Sequence, residues 1–66
     1  MKEELKEALS LFYLGQIAAA NANINVYFNH PAGIGEHTDI VASIDSEIEK
    51  AAHAQEKLDY IDSFNL

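Results

Sequence analysis

Apolar residues recur at steps of three and four from Leu5 to Phe28 and again from Ile40 to Ile61, and this period predicts two long amphipathic helices. The first is expected over about 3–29. Glu3, Glu4 and Glu7 place negative charge in its opening turns, where the helix dipole favours it. Pro31 has no amide proton and disfavours α geometry at His30, so the helix must stop there. The segment 30–37 becomes a hinge shaped by Pro31, Gly33 and Gly35. A second helix over about 38–62 follows, with Thr38 as its N-cap and Asp39 in its first turn. At 1.5 Å per residue both helices reach about 35 to 40 Å, a match that suits an antiparallel pair. The fold class expected is all-α, a two-helix hairpin forming a single domain over 1–66.

The second helix has one apolar seam, Val41, Ile44, Ile48, Ala51, Gln55 and Leu58, widened by Ile40, Ala52 and Ile61. Asp45, Glu47, Glu49, Lys50, Glu56, Lys57 and Asp59 form its solvated face. The first helix differs. Leu5, Leu9, Phe12, Gln16, Ala19, Asn23 and Val26 form one seam, and Leu14, Ile17, Asn21, Ile24 and Phe28 form another. A helix apolar on two sides needs two neighbours, and a second copy of the chain is the simplest supplier of the second. Dimerisation into a four-helix bundle, or packing in a larger assembly, is therefore expected.

Folding the chain at about Gly33 sets Leu9 near Leu58, Phe12 near Gln55 and Val26 near Val41. It also brings Gly15, Ala18 and Ala19 toward Ala51 and Ala52, which predicts a narrow waist where small residues meet. Gln16, Asn21, Asn23 and Gln55 fall on or beside the seams and need partners, a known way of fixing register. Residues 23–29 also alternate polar and apolar in a β-like manner. A lone strand would have nothing in this chain to pair with, so helix is the expectation there.

Composition narrows the function. A chain of 66 residues is near the lower size limit for burying a self-sufficient core, and it has no cysteine with which to staple one. Four basic against eleven acidic residues give a net charge of −7, which repels nucleic acid and anionic lipid alike. Neither is expected as a partner. Gln16, Asn21, Asn23 and Asn25 interrupt the most apolar stretch at its centre, which argues against a membrane span. The acidic start, Met1 to Glu7, has none of the features of a signal peptide.

Only the hinge crowds polar groups enough to suggest chemistry. His30, Glu36, His37 and Asp39 could offer ligands to a divalent ion, although their spacing matches no metal motif. End-capping and dipole contacts explain the same residues without a metal. Gly33-Ile34-Gly35 is not a phosphate loop, because no strand precedes it and no lysine is placed for phosphate. His53 reads as a solvated or partly packed residue, and no serine sits in a nucleophile signature. No catalytic residue and no cofactor is expected.

The run Pro31-Ala32-Gly33-Ile34-Gly35-Glu36-His37-Thr38-Asp39, preceded by Asn25-Val26-Tyr27 and followed by an acidic helix ending Ala54-Gln55-Glu56-Lys57-Leu58, resembles a group of short proteins encoded by tailed bacteriophages of marine bacteria. The resemblance spans roughly residues 24 to 61 and implies a phage origin, in the host cytoplasm or the virion. It brings no functional residue with it. The expectation is thus a non-enzymatic structural or interaction protein, with Phe12, Tyr13, Ile17, Ile24, Tyr27 and Phe28 as contact residues. A small acidic binder of a host protein is the alternative, and a divalent-metal module at the hinge a distant third.

Overall fold

The structure, a computed structural model, describes residues 1–30 and 39–64. Two helices, α1 (Lys2–Asn29) and α2 (Ile40–Asp62), pack along their whole length as a hairpin measuring 49 × 15 × 15 Å. Residues 23–29 are helical, and no strand occurs among the described residues. The helix closes at His30, whose backbone N–H donates to the Val26 carbonyl at 2.8 Å. The cap of α2 differs from expectation. Asp39 rather than Thr38 is the N-cap, its Oδ1 accepting from the Ala42 N–H at 3.0 Å. A carboxylate there satisfies an orphan amide and meets the positive end of the dipole, which a hydroxyl does less well. The hinge residues Pro31, Gly33 and Gly35 lie outside the described residues.

Every residue of α1 that is not exposed falls on one row: Lys6, Ser10, Tyr13, Ile17, Ala20, Ile24 and Tyr27. The steps alternate four and three throughout. On α2 the matching row is Ile40, Ile44, Glu47, Ala51, Ala54, Leu58 and Ile61, with Ser43 beside it. A strict seven-residue repeat on both helices is the pattern of coiled-coil packing. The inward row of α1 is the expected Leu5-to-Val26 seam displaced by one residue, or about 100° around the helix. Leu5, Leu9, Phe12 and Val26 therefore stay exposed. On α2, Ile40, Ile44, Ala51, Leu58 and Ile61 are inward as expected, whereas Val41, Ile48 and Gln55 give way to Glu47 and Ala54.

The physical reason lies in side-chain size and in the two seams of α1. The row used leaves the first seam on one flank, takes Ile17 and Ile24 from the second and leaves Leu14, Asn21 and Phe28 on the other flank, and its small residues let the backbones approach closely. Ala20 and Ala54, each 2 % exposed, are the only fully buried residues among those described. They form the waist. Ala18, Ala19 and Ala52 are exposed instead, and a Cβ at Gly15 would meet nothing within 4 Å, so Gly15 is no spacing device.

Register is displaced as well. Lys6 Nζ donates to the Phe64 carbonyl at 3.4 Å, Asn23 Nδ2 to Glu47 Oε2 at 3.2 Å, and Lys57 Nζ lies 6.0 Å from the Tyr13 ring centroid. In each pair the two residue numbers add to 70, which centres the hairpin on position 35 rather than 33. The pairing of Leu9 with Leu58 gives way to one nearly a turn further along α2.

Candidate functional site

The inward rows divide the hairpin surface into two long flanks, and their chemistry is unequal. On an antiparallel pair, the residue just before each inward step on one helix faces its counterpart on the other. The first flank joins Leu5, Leu9, Phe12, Gln16, Asn23 and Val26 of α1 to Ser46, Lys50, His53, Lys57 and Tyr60 of α2. The second, one residue after each inward step, joins Glu7, Leu11, Leu14, Ala18, Asn21, Asn25 and Phe28 to Val41, Asp45, Ile48, Ala52, Gln55, Asp59 and Asp62.

The first flank is apolar on α1 and cationic on α2. Its centre is a shallow groove of about 350 Å³ lined by Gln16, Asn23, Glu47, Lys50, His53 and Lys57 among others. Glu47, expected on the solvated face, is turned into this groove with its side chain only 12 % exposed. Lys50 Nζ donates to its Oε1 at 3.1 Å while Asn23 holds Oε2. These two donors hold the Glu47 carboxyl below its ordinary range, Lys50 first and Asn23 second, against a smaller opposing effect of burial. Nothing in the groove resembles a nucleophile with a base. It is a polar clamp between two helices.

Of the amides expected to need partners, Asn23 bonds across the hairpin to Glu47, while Gln55 Nε2 donates to Asp59 Oδ1 within its own helix at 3.0 Å. Both, with Gln16 and Asn21, lie at exposed positions rather than in the seam.

The six expected contact residues separate. Tyr13, Ile17, Ile24 and Tyr27 line the inward row and meet α2, the row used having taken Ile17 and Ile24 from the second seam. Ile17 and Ile24 therefore do not belong to a second, free face. Phe12 and Phe28 are 59 % and 65 % exposed and stand on opposite flanks. The exposed aliphatics Leu14, Val41 and Ile48 were not among those six, and the signal that places them is their shared offset of one residue from the inward rows. At the open end, Tyr60 packs edge-on to Phe64 at 5.4 Å between centroids, and Phe12 lies 5.8 Å from Tyr13.

Of the possible metal ligands, Glu36 and His37 lie outside the described residues. His30 and Asp39 are exposed, and the Asp39 carboxylate is engaged as the α2 cap. Among the described residues no three acidic or histidine side chains converge on one point, and no helix is long and apolar enough to cross a membrane. No protein-family model, curated protein or solved structure matches the chain.

Proposed function

We propose that this chain is a non-enzymatic structural or interaction protein, encoded by a bacteriophage and serving in the particle or its assembly, that works by packing helices against further copies of itself. The observation that carries this reading is the mismatch between what the hairpin buries and what it leaves out. Two alanines are fully buried, while Leu5, Leu11, Phe12, Leu14, Val26, Phe28, Val41 and Ile48 remain about half exposed or more. A folded monomer of 7.3 kDa is expected to expose about 4,200 Å². This chain exposes 5022 Å², roughly 800 Å² more. That excess is close to what one partner contributes to an interface of standard size, about 800 Å². Large apolar residues on both flanks also suit a subunit with neighbours on two sides, as in a larger assembly.

Sedimentation equilibrium at micromolar concentration, in low and in high salt, tests the proposal. Association through apolar flanks persists in high salt, where screening shortens the reach of charge to about 3 Å at 1 M. A monomer under all conditions would contradict it. The second reading, an acidic binder of a host protein, draws support from the −7 charge and from exposed Asp45, Glu49, Glu56 and Asp59 on α2. Binding of that kind would weaken steeply with salt.

A further inference from the structure

The two flanks are not equivalent as docking faces, and their difference identifies both the face and its geometry. We infer that a second copy of this chain covers the flank of Leu14, Asn21, Phe28, Val41, Ile48 and Gln55, antiparallel to the first, with the two-fold axis passing between Asn21 and Ile48. This rests on the self-association proposed above and specifies its surface.

The choice of flank follows from composition. On the first flank a largely apolar α1 row lies beside Lys50 and Lys57, so face-to-face docking of two copies would bring these ammonium groups together out of water. The second flank carries no cation, and Leu14, Phe28, Val41 and Ile48 give both its helices aliphatic or aromatic side chains, with Asp45, Asp59 and Asp62 sharing the α2 side. Leu14 and Ile48 are each 49 % exposed there, and Val41 is 78 % exposed. The whole-chain surface excess of roughly 800 Å² is close to what one partner contributes to a standard dimer.

The orientation follows from the rungs of this flank. Counting one residue on from the inward rows of both helices, Leu14 falls level with Gln55, Asn21 with Ile48, and Phe28 with Val41, each pair adding to 69, one short of the cross-helix contacts above. Successive rungs are seven residues apart, about 10.5 Å along the axis. Two copies can meet face to face with their hinges at the same end or at opposite ends. With hinges together, Asn21 would oppose the partner's Ile48, setting an amide against an aliphatic group, whereas Gln55 meets an aliphatic residue in either arrangement, Leu14 here and Val41 with hinges apart. Glu7 would also oppose the partner's Asp62, and Asp62 the partner's Glu7, gathering four carboxylates at one end. With hinges apart, Asn21 meets the partner's Asn21 and Ile48 the partner's Ile48, while Leu14 meets the partner's Phe28. A side-chain amide both donates and accepts, so an Asn–Asn pair satisfies itself, as buried Asn pairs do in coiled coils. Gln55, opposite the partner's Val41, already donates to Asp59. The carboxylates then fall at opposite ends of the bundle.

The absence of native cysteine makes the test direct. Single variants Asn21→Cys, Ile48→Cys and Phe12→Cys of the full chain are oxidised mildly, and disulfide-linked dimer is read on a non-reducing gel. Asn21→Cys and Ile48→Cys, each alone, should cross-link several-fold faster than Phe12→Cys. Cross-linking only when Asn21→Cys is mixed with Ile48→Cys would overturn the orientation, and fastest cross-linking through Phe12→Cys would overturn the face. A chain that sediments as a monomer would defeat self-association itself, a separate failure. A charge exchange supplies a second readout free of cysteine chemistry. Leu14→Glu or Phe28→Lys alone should abolish the dimer, and the double variant should restore it, because the two positions meet across the axis. No restoration would refute the hinges-apart arrangement.

Discussion

Replacing Ala20 by Leu and, separately, its neighbour Ala19 by Leu should have very different consequences. Ala20 is 2 % exposed on the inward row, and its methyl group fills the narrowest part of the hairpin. Leucine adds three carbons there with no open side to receive them, so one helix must move or an off-rotamer side chain be accepted. Overpacking of this kind costs about 1–3 kcal/mol. For a domain of this size each kcal/mol is about 4–8 °C in Tm, so Ala20→Leu should lower the midpoint by roughly 5–20 °C. Ala19 is exposed on the first flank. Alanine and leucine have similar helix propensities, and surface changes of this type stay within about 0.5 kcal/mol. Thermal unfolding followed by circular dichroism at 222 nm, at equal protein concentration, compares the two. Equal melting, or a larger loss in Ala19→Leu, would refute the inward row and favour packing centred on residue 33.

Gly15→Ala should raise stability by roughly 0.5–1 kcal/mol, since the added methyl meets nothing within 4 Å and alanine is the better helix former. A lower Tm would place Gly15 against an unseen neighbour. Asp39→Ala should cost about 1 kcal/mol by leaving the Ala42 amide without its acceptor, measurable by urea unfolding. The Glu47 carboxyl is held below its ordinary value near 4.3, so its contribution is present above that pH and is lost as pH falls through the folded-state value. Wild-type stability should therefore decline on acidification below about pH 4.5 more than that of Glu47→Gln, which has no such group to protonate; parallel acid limbs would contradict the clamp.

Helix number, boundaries and antiparallel pairing are legible in the sequence because period, proline and dipole-matched acids are local signals. Lys2–Asn29 and Ile40–Asp62 differ from the expected spans by one or two residues at most. Which row faces inward is not a local signal. The most apolar seam of α1 is one residue away from the seam used, because packing between two helices is decided by the size of inward residues such as Ala20 and Ala54 as well as by hydrophobicity. The inward position of Glu47 had the same origin. Its row is visible only once Asn23 and Lys50 are seen to hold it, a relation that spans 24 positions in one case and three in the other. The contact residues divided for this reason too: Tyr13 and Tyr27 went to the hairpin's own seam, leaving Phe12 and Phe28 outside.

That large apolar residues of the hairpin are covered by further copies is the central claim, and the dependence of Tm on protein concentration tests it most directly. A self-associating fold gains stability by mass action, up to about 2.7 kcal/mol for a hundredfold rise in concentration, so Tm should climb by several degrees or more. A midpoint that stays constant over that range, with cooperative unfolding, would mean that the hairpin is stable alone with its leucines and phenylalanines in water.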